Sequence, residues 1–521
     1  MTSGAKDDHI PTPDELQKEL AEFFKNKFGG KAMVSIFPQA DGGPGEEEAG
    51  AEQAPPDLKF DLKPREVKDY LDRFVIRQDE AKKVLSIAVC DHYHHAARCA
   101  GKGGCGDYAK QNVILIGPTG VGKTYLIRCI ARLIGVPFVK ADATKFSETG
   151  YVGGDVEDLV RDLVHEADGD IARAQYGIIY VDEIDKIASA RDHAGRDVSG
   201  HGVQTGLLKL MEETEVPLRS PMDMVGQIQA MMEFQKKGKI KKKTINTRHI
   251  LFIVSGAFEP LAEIVQKRLR KGEIGFGAGI DEKKKRFAYL HEARSKDYIK
   301  FGFEPEFIGR LPVRVVCEEL DEEDLYRILK GSEGSIVRQY EAAFDAFGIR
   351  VVFSDEGLRH IATKAHHEET GARGLMTVCE RTLRDFKFEL PSTGIRHLVV
   401  TGEIVEDPRG ELAKIIAAPQ LVERAFAAEL IHQFEKEFSR KHGIEIAFTK
   451  TAAGLVVSQA EEVKMDVLQL CRTLLKDYEH GLNLIRRNTG QGRFTITREA
   501  VGAPAETLNT WIKKSYRKER G

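Results

Sequence analysis

Residues 117–124 have the sequence GPTGVGKT and match the spacing G-x-x-x-x-G-K-S/T between an apolar strand-like run and an apolar helix-like run. Glycines let backbone N–H groups turn towards phosphate oxygens, and the amino end of the following helix adds a favourable dipole. In such a loop Lys123 contacts the β- and γ-phosphates and the Thr124 hydroxyl ligates Mg²⁺. The sequence therefore predicts a nucleotide phosphate site, with a plain glycine-rich turn as the alternative. The predicted site residues are Gly117, Pro118, Thr119, Gly120, Val121, Gly122, Lys123 and Thr124.

A second apolar run, GIIYVDE at residues 177–183, ends in two acidic residues. Downstream of a phosphate loop, Asp182 is placed to hold Mg²⁺ and Glu183 to polarise the attacking water as a general base. Ser255 ends another apolar run, HILFIVSG, and is a candidate for orienting that water. The alternatives are a solvated strand end for the acids and an ordinary turn for Ser255. Together these residues predict hydrolysis of a Mg²⁺-bound nucleotide.

Strand-like and helix-like runs alternate from about residue 61 to residue 320, which is the pattern of a parallel α/β sheet. The strand-like runs are VILIG (113–117), PFVKA (137–141), GIIYVDE (177–183), HILFIVSG (249–256) and PVRVVCEE (312–319). Helical patterns dominate after residue 320. The sequence thus predicts a large α/β domain over 61–320 and a smaller helical domain over 321–415.

The end of the chain resembles the helical segment that precedes it. Three pairs of segments match in the same order: QYEAAFDAFGIRVVF (339–353) with QFEKEFSRKHGIEIAF (433–448), CERTLRDF (379–386) with CRTLLKDY (471–478), and HLVVTGEIV (397–405) with RFTITREAV (493–501). Matches at a near-constant offset indicate duplication, so residues 420–521 are predicted to form a degenerate repeat of the small domain. Shared helix composition is the alternative explanation for any one match.

The bulk composition is that of an ordinary globular protein with several domains. A formal net charge of −3 gives no general attraction to nucleic acid or to an anionic membrane, and no run of 18 apolar residues is present. No signal-peptide pattern is present, and the seven cysteines contain no CxxC pair, so we expect a cytoplasmic protein without a disulfide framework. Residues 1–38 predict a small helix and strand segment, and residues 39–60 a disordered acidic linker rich in Gly and Pro.

From about residue 63 to residue 407 the chain resembles the ClpX family of AAA+ ATPases, with some features of the related HslU. The segment DYLDRFVIRQDEAKKVLSIAV (69–89) is similar to the family's adenine-binding segment. The resemblance implies that Val75 and Ile76 line the base. Arg77 departs from the family pattern, which usually has glycine at this position.

Two arginine motifs also carry the resemblance. PEFIGRLP (305–312) resembles the arginine-finger segment, and TGARGL (370–375) resembles the sensor-2 motif. The resemblance implies that Arg310 stabilises γ-phosphate charge in a neighbouring subunit, which requires a ring. It also implies that Arg373 holds the γ-phosphate from the helical domain. A surface ion pair is the alternative role for either arginine.

ATKFSETGYVGGDVEDL (143–159) resembles the family's first pore loop, and RDVSGHGVQTGLLKLME (196–212) resembles the second pore loop with the helix after it. The implied substrate-gripping residues are Gly150, Tyr151, Val152 and Gly153. An aromatic ring such as that of Tyr151 can grip any polypeptide because it needs no particular partner side chain. A simple turn is the alternative.

GEIGFGAG (272–279) resembles the ClpX loop that docks on a partner peptidase ring. The implied docking residues are Ile274, Gly275 and Phe276. Apolar side chains on an exposed glycine-flanked loop favour burial in a partner's groove.

The chain departs from the family in two places. The N-terminal zinc domain with four cysteines is replaced by residues 13–37, and a Met- and Lys-rich insert at 221–243 does not match. The cluster of His92, His94, His95, Cys99 and Cys105 fits no familiar zinc spacing, so no zinc is predicted.

The repeat departs from the small domain at one chemically important position. The alignment places Met465 opposite Arg373, and both glycines that flank the arginine are missing. Methionine cannot donate a hydrogen bond to a γ-phosphate. The repeat is therefore predicted to keep a packed core without contacting nucleotide.

Taken together, the motifs and the resemblance predict an α/β protein: an AAA+ P-loop NTPase domain with a parallel sheet, a helical small domain and a duplicate of that small domain. The implied cofactors are ATP and Mg²⁺. The implied activity is that of an ATP-driven unfoldase, a homo-hexamer that threads unfolded or tagged proteins through its pore and feeds them to a ClpP-like peptidase. The alternatives are a remodelling chaperone without a peptidase, a nucleic-acid motor or clamp loader, and a nucleotide-gated scaffold that hydrolyses little. Nucleic acid and membrane partners are not expected.

Overall fold

The computed structural model describes residues 60–100, 108–146, 154–188, 200–218, 243–270, 287–332 and 334–518 of the 521-residue chain. Several sequence predictions concern residues outside these ranges. They are the segment 1–38, the linker up to residue 59, the pore residues 150–153, the insert residues 221–242 and the docking residues 274–276. For these residues the sequence predictions stay predictions.

A parallel sheet lies at the centre of the first half of the described chain. Its strands are β1 (Val113–Ile116), β2 (Phe138–Asp142), β3 (Ile178–Asp182), β6 (Leu251–Gly256) and β7 (Val313–Val316). They lie in the order β2-β3-β6-β1-β7, and every neighbouring pair is parallel. Continuous runs of Val and Ile favour strands that are buried on both faces. The predicted α/β class is confirmed.

Two apolar cores lie against the two faces of this sheet. Val113 and Leu115 belong to one core and Ile114 and Ile116 to the other, because successive residues of a strand point to opposite faces. The helices that complete the two cores are α1 (Pro64–Asp72), α2 (Asp79–Ala100), α3 (Lys123–Ile134), α4 (Asp158–Glu166), α5 (Ile171–Ala174), α6 (Gly200–Met211), α7 (Glu259–Arg270), α8 (Ser295–Phe301) and α9 (Pro305–Gly309). A small antiparallel pair consists of β4 (Glu215–Pro217) and β5 (Thr244–Asn246).

The next part of the chain is mainly helical, as predicted. Its elements are α10 (Glu322–Gly331), α11 (Ile336–Asp345), β8 (Arg350–Phe353), α12 (Asp355–His367), α13 (Ala372–Glu389), β9 (His397–Val400), α14 (Gly402–Glu406) and α15 (Pro408–Ala417). Leu375 and Phe386 of α13 belong to the same apolar core as Val113 of the sheet. The small helical part and the sheet are therefore packed against each other through a shared core.

The C-terminal part repeats this arrangement. Its elements are α16 (Pro419–His442), β10 (Glu445–Phe448), α17 (Lys450–Val463), α18 (Val467–Leu474), α19 (Tyr478–Thr489), β11 (Arg493–Ile496), α20 (Arg498–Gly502) and α21 (Pro504–Lys518). β8 pairs with β9 and β10 pairs with β11, both parallel and in the register that the sequence alignment gives. After the second strand of each pair a threonine caps a short helix, Thr401 in one copy and Thr497 in the other. The arrangement is what duplication predicts.

The repeat packs on one face of the β8–β9 pair. Val352 and Val399 on that face contact Phe426 and Leu430 of α16 in one apolar cluster. Leu468 of α18 packs against this cluster, and at its edge Arg350 pairs with Asp466. In the repeat, the corresponding positions of the β10–β11 pair are polar or small: Glu445, Ala447, Arg493 and Thr495. The first copy thus has an apolar face that receives a second copy, whereas the second copy does not.

No helix among the described residues is long and apolar enough to cross a membrane.

Replacing Leu468 with Asp should loosen the contact between the repeat and the β8–β9 pair, because an unpaired carboxylate is costly in an apolar cluster. We expect faster amide hydrogen exchange in Val352 and Val399 and unchanged exchange in the core strands β1 and β6. The neighbouring Gln469→Asp is the matched control, since Gln469 is exposed. Equal exchange in the wild type and the Leu468 variant would contradict this interface.

Candidate active site

The loop that follows β1 depends on its glycines. Gly117, Gly120 and Gly122 have φ values of 149°, 79° and 95°, in the region that only glycine adopts easily. A Cβ atom on Gly117 would lie 2.5 Å from the carbonyl oxygen of Cys317, and one on Gly120 would lie 2.1 Å from that of Thr370. The loop is therefore held in a turned conformation between two other segments, and its backbone N–H groups precede the first turn of α3.

Lys123 is the first residue of α3 and is partly buried at the end of the loop. Its ammonium donates hydrogen bonds to the carbonyl oxygens of Gly117 at 2.6 Å and Pro118 at 2.8 Å. Burial lowers the pKa of Lys123. A cation in this position can neutralise phosphate charge, which is the role that the sequence predicts for Lys123.

Four oxygen-bearing side chains meet beside this loop. Ser255 Oγ donates to Asp182 Oδ1 at 2.5 Å and lies 2.6 Å from the Tyr180 hydroxyl. Thr124 Oγ1 lies 3.3 Å from both Asp182 Oδ2 and the Tyr180 hydroxyl. Lys140 adds a positive charge 3.5 Å from Asp182 Oδ2. The arrangement brings together three residues that the sequence singled out and two that it did not.

Tyr180 is one of the two residues of this cluster that the sequence analysis did not single out. Its side chain is fully buried, yet its hydroxyl contacts both Ser255 and Thr124. The spacing places Tyr180 on the same face of β3 as Asp182, because residues two apart in a strand share a face, but only the tertiary structure places Ser255 and Thr124 beside its hydroxyl. A buried tyrosine in an apolar run is usually assigned to the core, which is why the position gave no functional prediction.

The Asp182 carboxylate is kept ionised by its surroundings. Burial alone would raise its pKa, but the hydrogen bonds from Ser255 and from the backbone N–H of Glu183, together with the charges of Lys140 and Lys123, hold the pKa below the ordinary value. A lowered folded-state pKa means that the associated stabilisation is present at neutral pH and is lost only as the pH falls into the acidic range. Asp182 is thus an anionic oxygen ligand at physiological pH.

Glu183 has an unusual backbone conformation. Its φ of 56° lies in the left-handed region, which is uncommon for a residue other than glycine and concentrates at functional sites. Its side chain is exposed, and a single turn of 3₁₀-helix, Ile184–Ile187, follows directly. In that turn the buried Asp185 accepts a hydrogen bond from the backbone N–H of Phe258, which fixes the turn to the segment after β6. Glu183 is therefore an exposed carboxylate on a fixed backbone, as a general base requires.

Arg310 lies at the other end of the sheet. It follows α9 and precedes β7, and its carbonyl oxygen accepts a hydrogen bond from Asn112, the residue before β1. Its guanidinium is more than half exposed and pairs with Glu212 at 2.6 Å. The phosphate loop follows the opposite, carboxyl end of β1, about four residues of extended strand away, or roughly 13 Å. Arg310 is not brought together with the phosphate loop of its own chain.

The turn before α13 contacts the phosphate loop. The backbone N–H of Ala372 donates to the carbonyl oxygen of Gly120 at 2.9 Å, and Gly371 packs against the same residue. Arg373 follows in the first turn of α13 with an exposed side chain, and its charge is near enough to contribute to the lowered pKa of Lys123. The structure therefore places the predicted sensor-2 arginine beside the phosphate site.

The predicted adenine-binding segment follows α1. Val75 is buried in the same core as Leu126 of α3, and Ile76 is partly buried. Arg77 has a φ of 59°, which explains the glycine usual at this position. Its guanidinium pairs with three carboxylates: Glu318 at 2.7 Å, Asp321 at 2.9 Å and Asp324 at 2.6 Å. These ion pairs anchor the segment to the connection between β7 and α10.

The His and Cys cluster is used for packing. His92 Nε2 and His94 Nε2 lie 2.8 and 3.1 Å from backbone carbonyl oxygens of other segments. His95 Nε2 contacts Cys99, which is disulfide-bonded, so its sulfur is not a free thiolate. The sequence excluded a disulfide framework and did not predict this single bond at Cys99, while Cys105 lies outside the described residues. No group of three metal-ligating side chains occurs within the described ranges.

Comparison with known families agrees with this geometry. Residues 109–314 match the model of the AAA domain (Cdc48 subfamily), and residues 320–395 match that of the C-terminal, D2-small domain of ClpB protein. The first match covers the phosphate loop and its catalytic cluster, and the second covers the small domain whose turn contacts the loop. In fold and in chemistry this is an ATP-hydrolysing enzyme of the AAA+ class.

Sequence identity to individual relatives shows which family of AAA+ ATPases the chain resembles. The chain is 41% identical over 358 residues to the ATP-dependent Clp protease ATP-binding subunit ClpX 3 of Methylococcus capsulatus, which covers 66% of this chain and 80% of the relative. The ClpX subunits of Borrelia duttonii and Borrelia recurrentis are each 40% identical over 372 residues, covering 70% of this chain and 83% of the relative. The chain belongs to the ClpX family, and its function is that of an ATP-dependent unfoldase and chaperone of the Clp type.

Tyr180→Phe should lower kcat for ATP hydrolysis about tenfold, the equivalent of ~1.4 kcal/mol, because Ser255 and Thr124 lose the hydroxyl that joins them. The ATP dissociation constant should change little, since phosphate binding rests on the loop. Steady-state kinetics and nucleotide titration measure the two quantities.

Tyr93→Phe is the matched control for this experiment. Tyr93 is equally buried, and its hydroxyl donates to a backbone carbonyl at 2.9 Å in another part of the core. That variant should lose a similar amount of stability without the change in kcat. Equal kcat values for the two variants would remove Tyr180 from the site.

Proposed function

We propose that this site hydrolyses ATP bound with Mg²⁺, and that Glu183 is the general base. The observation that carries the proposal is the cluster of Thr124, Asp182 and Ser255 beside the phosphate loop, with the exposed Glu183 next in the chain. Hydroxyl and carboxylate oxygens 3.3 Å apart suit a hard cation such as Mg²⁺. Thr124 and Asp182 would hold Mg²⁺, which would neutralise charge on the β- and γ-phosphates.

The remaining site residues have distinct proposed roles. The loop from Gly117 to Thr124 binds the phosphates through backbone N–H groups and through Lys123. Ser255 orients the attacking water, and Val75 with Ile76 contacts the adenine base. Arg373 contacts the γ-phosphate from the small domain, so that the nucleotide state alters the angle between the two domains. The role of Arg373 is supported by the packing of the sensor-2 turn on Gly120.

The working assembly is proposed to be a homo-hexameric ring. Support comes from the position of Arg310, exposed at the amino end of the sheet and away from the phosphate loop of its own chain. An arginine in that position can stabilise transition-state charge only at a site on another subunit. The Glu212 contact would then hold Arg310 when the neighbour's site does not engage it.

The substrates are proposed to be unfolded or tagged proteins that are pulled through the central pore by Tyr151 and its neighbours Gly150, Val152 and Gly153. Ile274, Gly275 and Phe276 are proposed to dock on a ClpP-like peptidase in the cytoplasm. A stand-alone remodelling chaperone is the second candidate. The relatives are named as subunits of a Clp protease, which favours the peptidase. Co-purification with a peptidase ring in a slowly hydrolysed ATP analogue distinguishes the two.

The C-terminal repeat is proposed to have no contact with nucleotide. Met465 is partly buried in the repeat's own core, and the next residue, Asp466, pairs with Arg350 of the small domain. In the small domain this turn contacts the phosphate loop. In the repeat the equivalent turn contacts the small domain instead. The repeat would then brace the ring or receive substrate.

Glu183→Gln should remove most ATP turnover, by at least a hundredfold, because only the water-activating carboxylate is lost. ATP affinity and ring assembly should be kept, since Gln has the same shape and neither Lys123 nor Asp182 changes. Single-turnover hydrolysis and sedimentation velocity measure the two effects. Hydrolysis at the wild-type rate would exclude Glu183 as the base.

Tyr151→Ala should leave ATP hydrolysis largely intact but abolish unfolding of a stable fluorescent protein, because the gripping ring is lost. The control is Phe276→Ala, which should unfold the same substrate normally and lose only degradation by an added peptidase. Normal unfolding by the Tyr151 variant would show that this loop does not grip substrate.

A further inference from the structure

Gln204 is a buried amide in α6 to which the proposed mechanism assigns no role. Its side chain is 1% exposed. Nε2 donates to the carbonyl oxygen of Ile187 at 3.0 Å, and Oε1 accepts from the backbone N–H of Glu304 at 2.9 Å. A side-chain amide supplies its donors and its acceptor on two separate atoms, Nε2 and Oε1. Both halves of the amide are therefore in use.

Nε2 also donates a longer hydrogen bond, 3.5 Å, to the carbonyl oxygen of Gly302, so the amide reaches two segments: the turn after Glu183 and the segment that leads to Arg310. Ile187 ends the single helical turn that begins directly after Glu183, so this bond holds the backbone behind the proposed base. Glu304 precedes the first residue of α9, and Arg310 follows the last. Gln204 thus holds the turn behind the base of its own site and the short helix that presents an arginine to the neighbour's site.

The far end of α6 contacts the arginine segment again. Glu212, the residue after α6, pairs with Arg310 at 2.6 Å. His201 near the start of α6 also lies 3.2 Å from the side chain of Glu304. A displacement of α6 therefore shifts its contacts with Glu304 before α9 and with Arg310 after α9. Through the Gln204 amide the same displacement reaches Ile187.

We propose that Gln204 is a positioning residue that couples Glu183 of one ATP site to the Arg310 that serves the next site. In a buried, low-dielectric setting the loss of either bond leaves an unpaired polar group and releases one segment from the other. The coupling means that a change at one site alters the arginine offered to its neighbour. This inference rests on the proposed ring, in which Arg310 acts between subunits.

The test uses full-length chains that carry Glu183→Gln and are mixed into wild-type rings. Such a subunit hydrolyses nothing itself, so any further loss caused by a second substitution must arise at the neighbouring site. We expect Glu183→Gln with Gln204→Met to lower ATPase activity beyond Glu183→Gln alone at the same mixing ratio. Glu183→Gln with Arg310→Ala sets the largest loss that this route can produce.

Two further variants separate positioning from a general folding defect. At a pH where its carboxylate is ionised, Gln204→Glu keeps the acceptor for the Glu304 N–H but donates neither to Ile187 nor, over the longer distance, to Gly302. Rings made only of this variant should therefore lose kcat on the order of tenfold at unchanged KM. When the double variant Glu183→Gln with Gln204→Glu is mixed into wild-type rings, the neighbouring wild-type subunits should be as active as they are beside the single variant Glu183→Gln. Thr205→Val is the control on the same helix, because Thr205 is exposed and its hydroxyl bonds only within α6.

Equal loss with the Met and Glu variants, or no loss with either, would overturn the coupling. A chain that forms no ring with nucleotide, measured by sedimentation before mixing, would instead overturn the proposed function. If rings form and the wild-type subunits in them are unaffected by Gln204→Met in the next subunit, only the proposed role of Gln204 is rejected.

Discussion

The site depends on one ionised carboxylate, Asp182, at the end of a buried strand. Burial disfavours its charge, and that cost is offset by Ser255, Lys140 and the backbone N–H of Glu183. Ser255 lies on β6 and Lys140 on β2, and both meet Asp182 because β2, β3 and β6 are neighbours in a parallel sheet whose carboxyl ends share one edge. The order of strands is therefore a requirement of the chemistry, and the apolar runs that build the sheet serve that requirement.

The two ends of the sheet have different tasks. The carboxyl end carries the phosphate loop, and the amino end carries Arg310, which Asn112 ties to the start of β1. The sheet separates Arg310 from the phosphate loop of its own chain, and this separation is the reason for the proposal that Arg310 serves a site on another copy of the chain. Through Gln204, helix α6 forms hydrogen bonds to the turn after Glu183 and to the segment that leads to Arg310. Communication between sites can thus be carried by a few buried hydrogen bonds.

The small domain and the C-terminal repeat have the same arrangement of elements, but the equivalent turns in the two contact different partners. In the first copy the turn before α13 lies on Gly120 of the phosphate loop. In the second copy the equivalent turn has lost its glycines and its arginine, and its Asp466 pairs with Arg350 of the first copy. The apolar face formed by Val352 and Val399 receives the repeat, and the polar face of the β10–β11 pair receives no third copy among the described residues. The two parts thus share an arrangement of strands and helices but differ in the surface that contacts a partner segment.

The sequence by itself determined the phosphate loop, the acidic strand end, the sheet class and the repeat, because each is encoded by local spacing: glycines before a lysine, apolar runs and matched segments. It could not identify Tyr180, Lys140 or Gln204, since their roles depend on which strands are neighbours and on hydrogen bonds between residues far apart in the chain. Arg77 shows the same limit: its left-handed backbone could be inferred from the missing glycine, but its three carboxylate partners could not. Local patterns fix conformations and chemistry, whereas only tertiary packing decides which buried charges and amides meet.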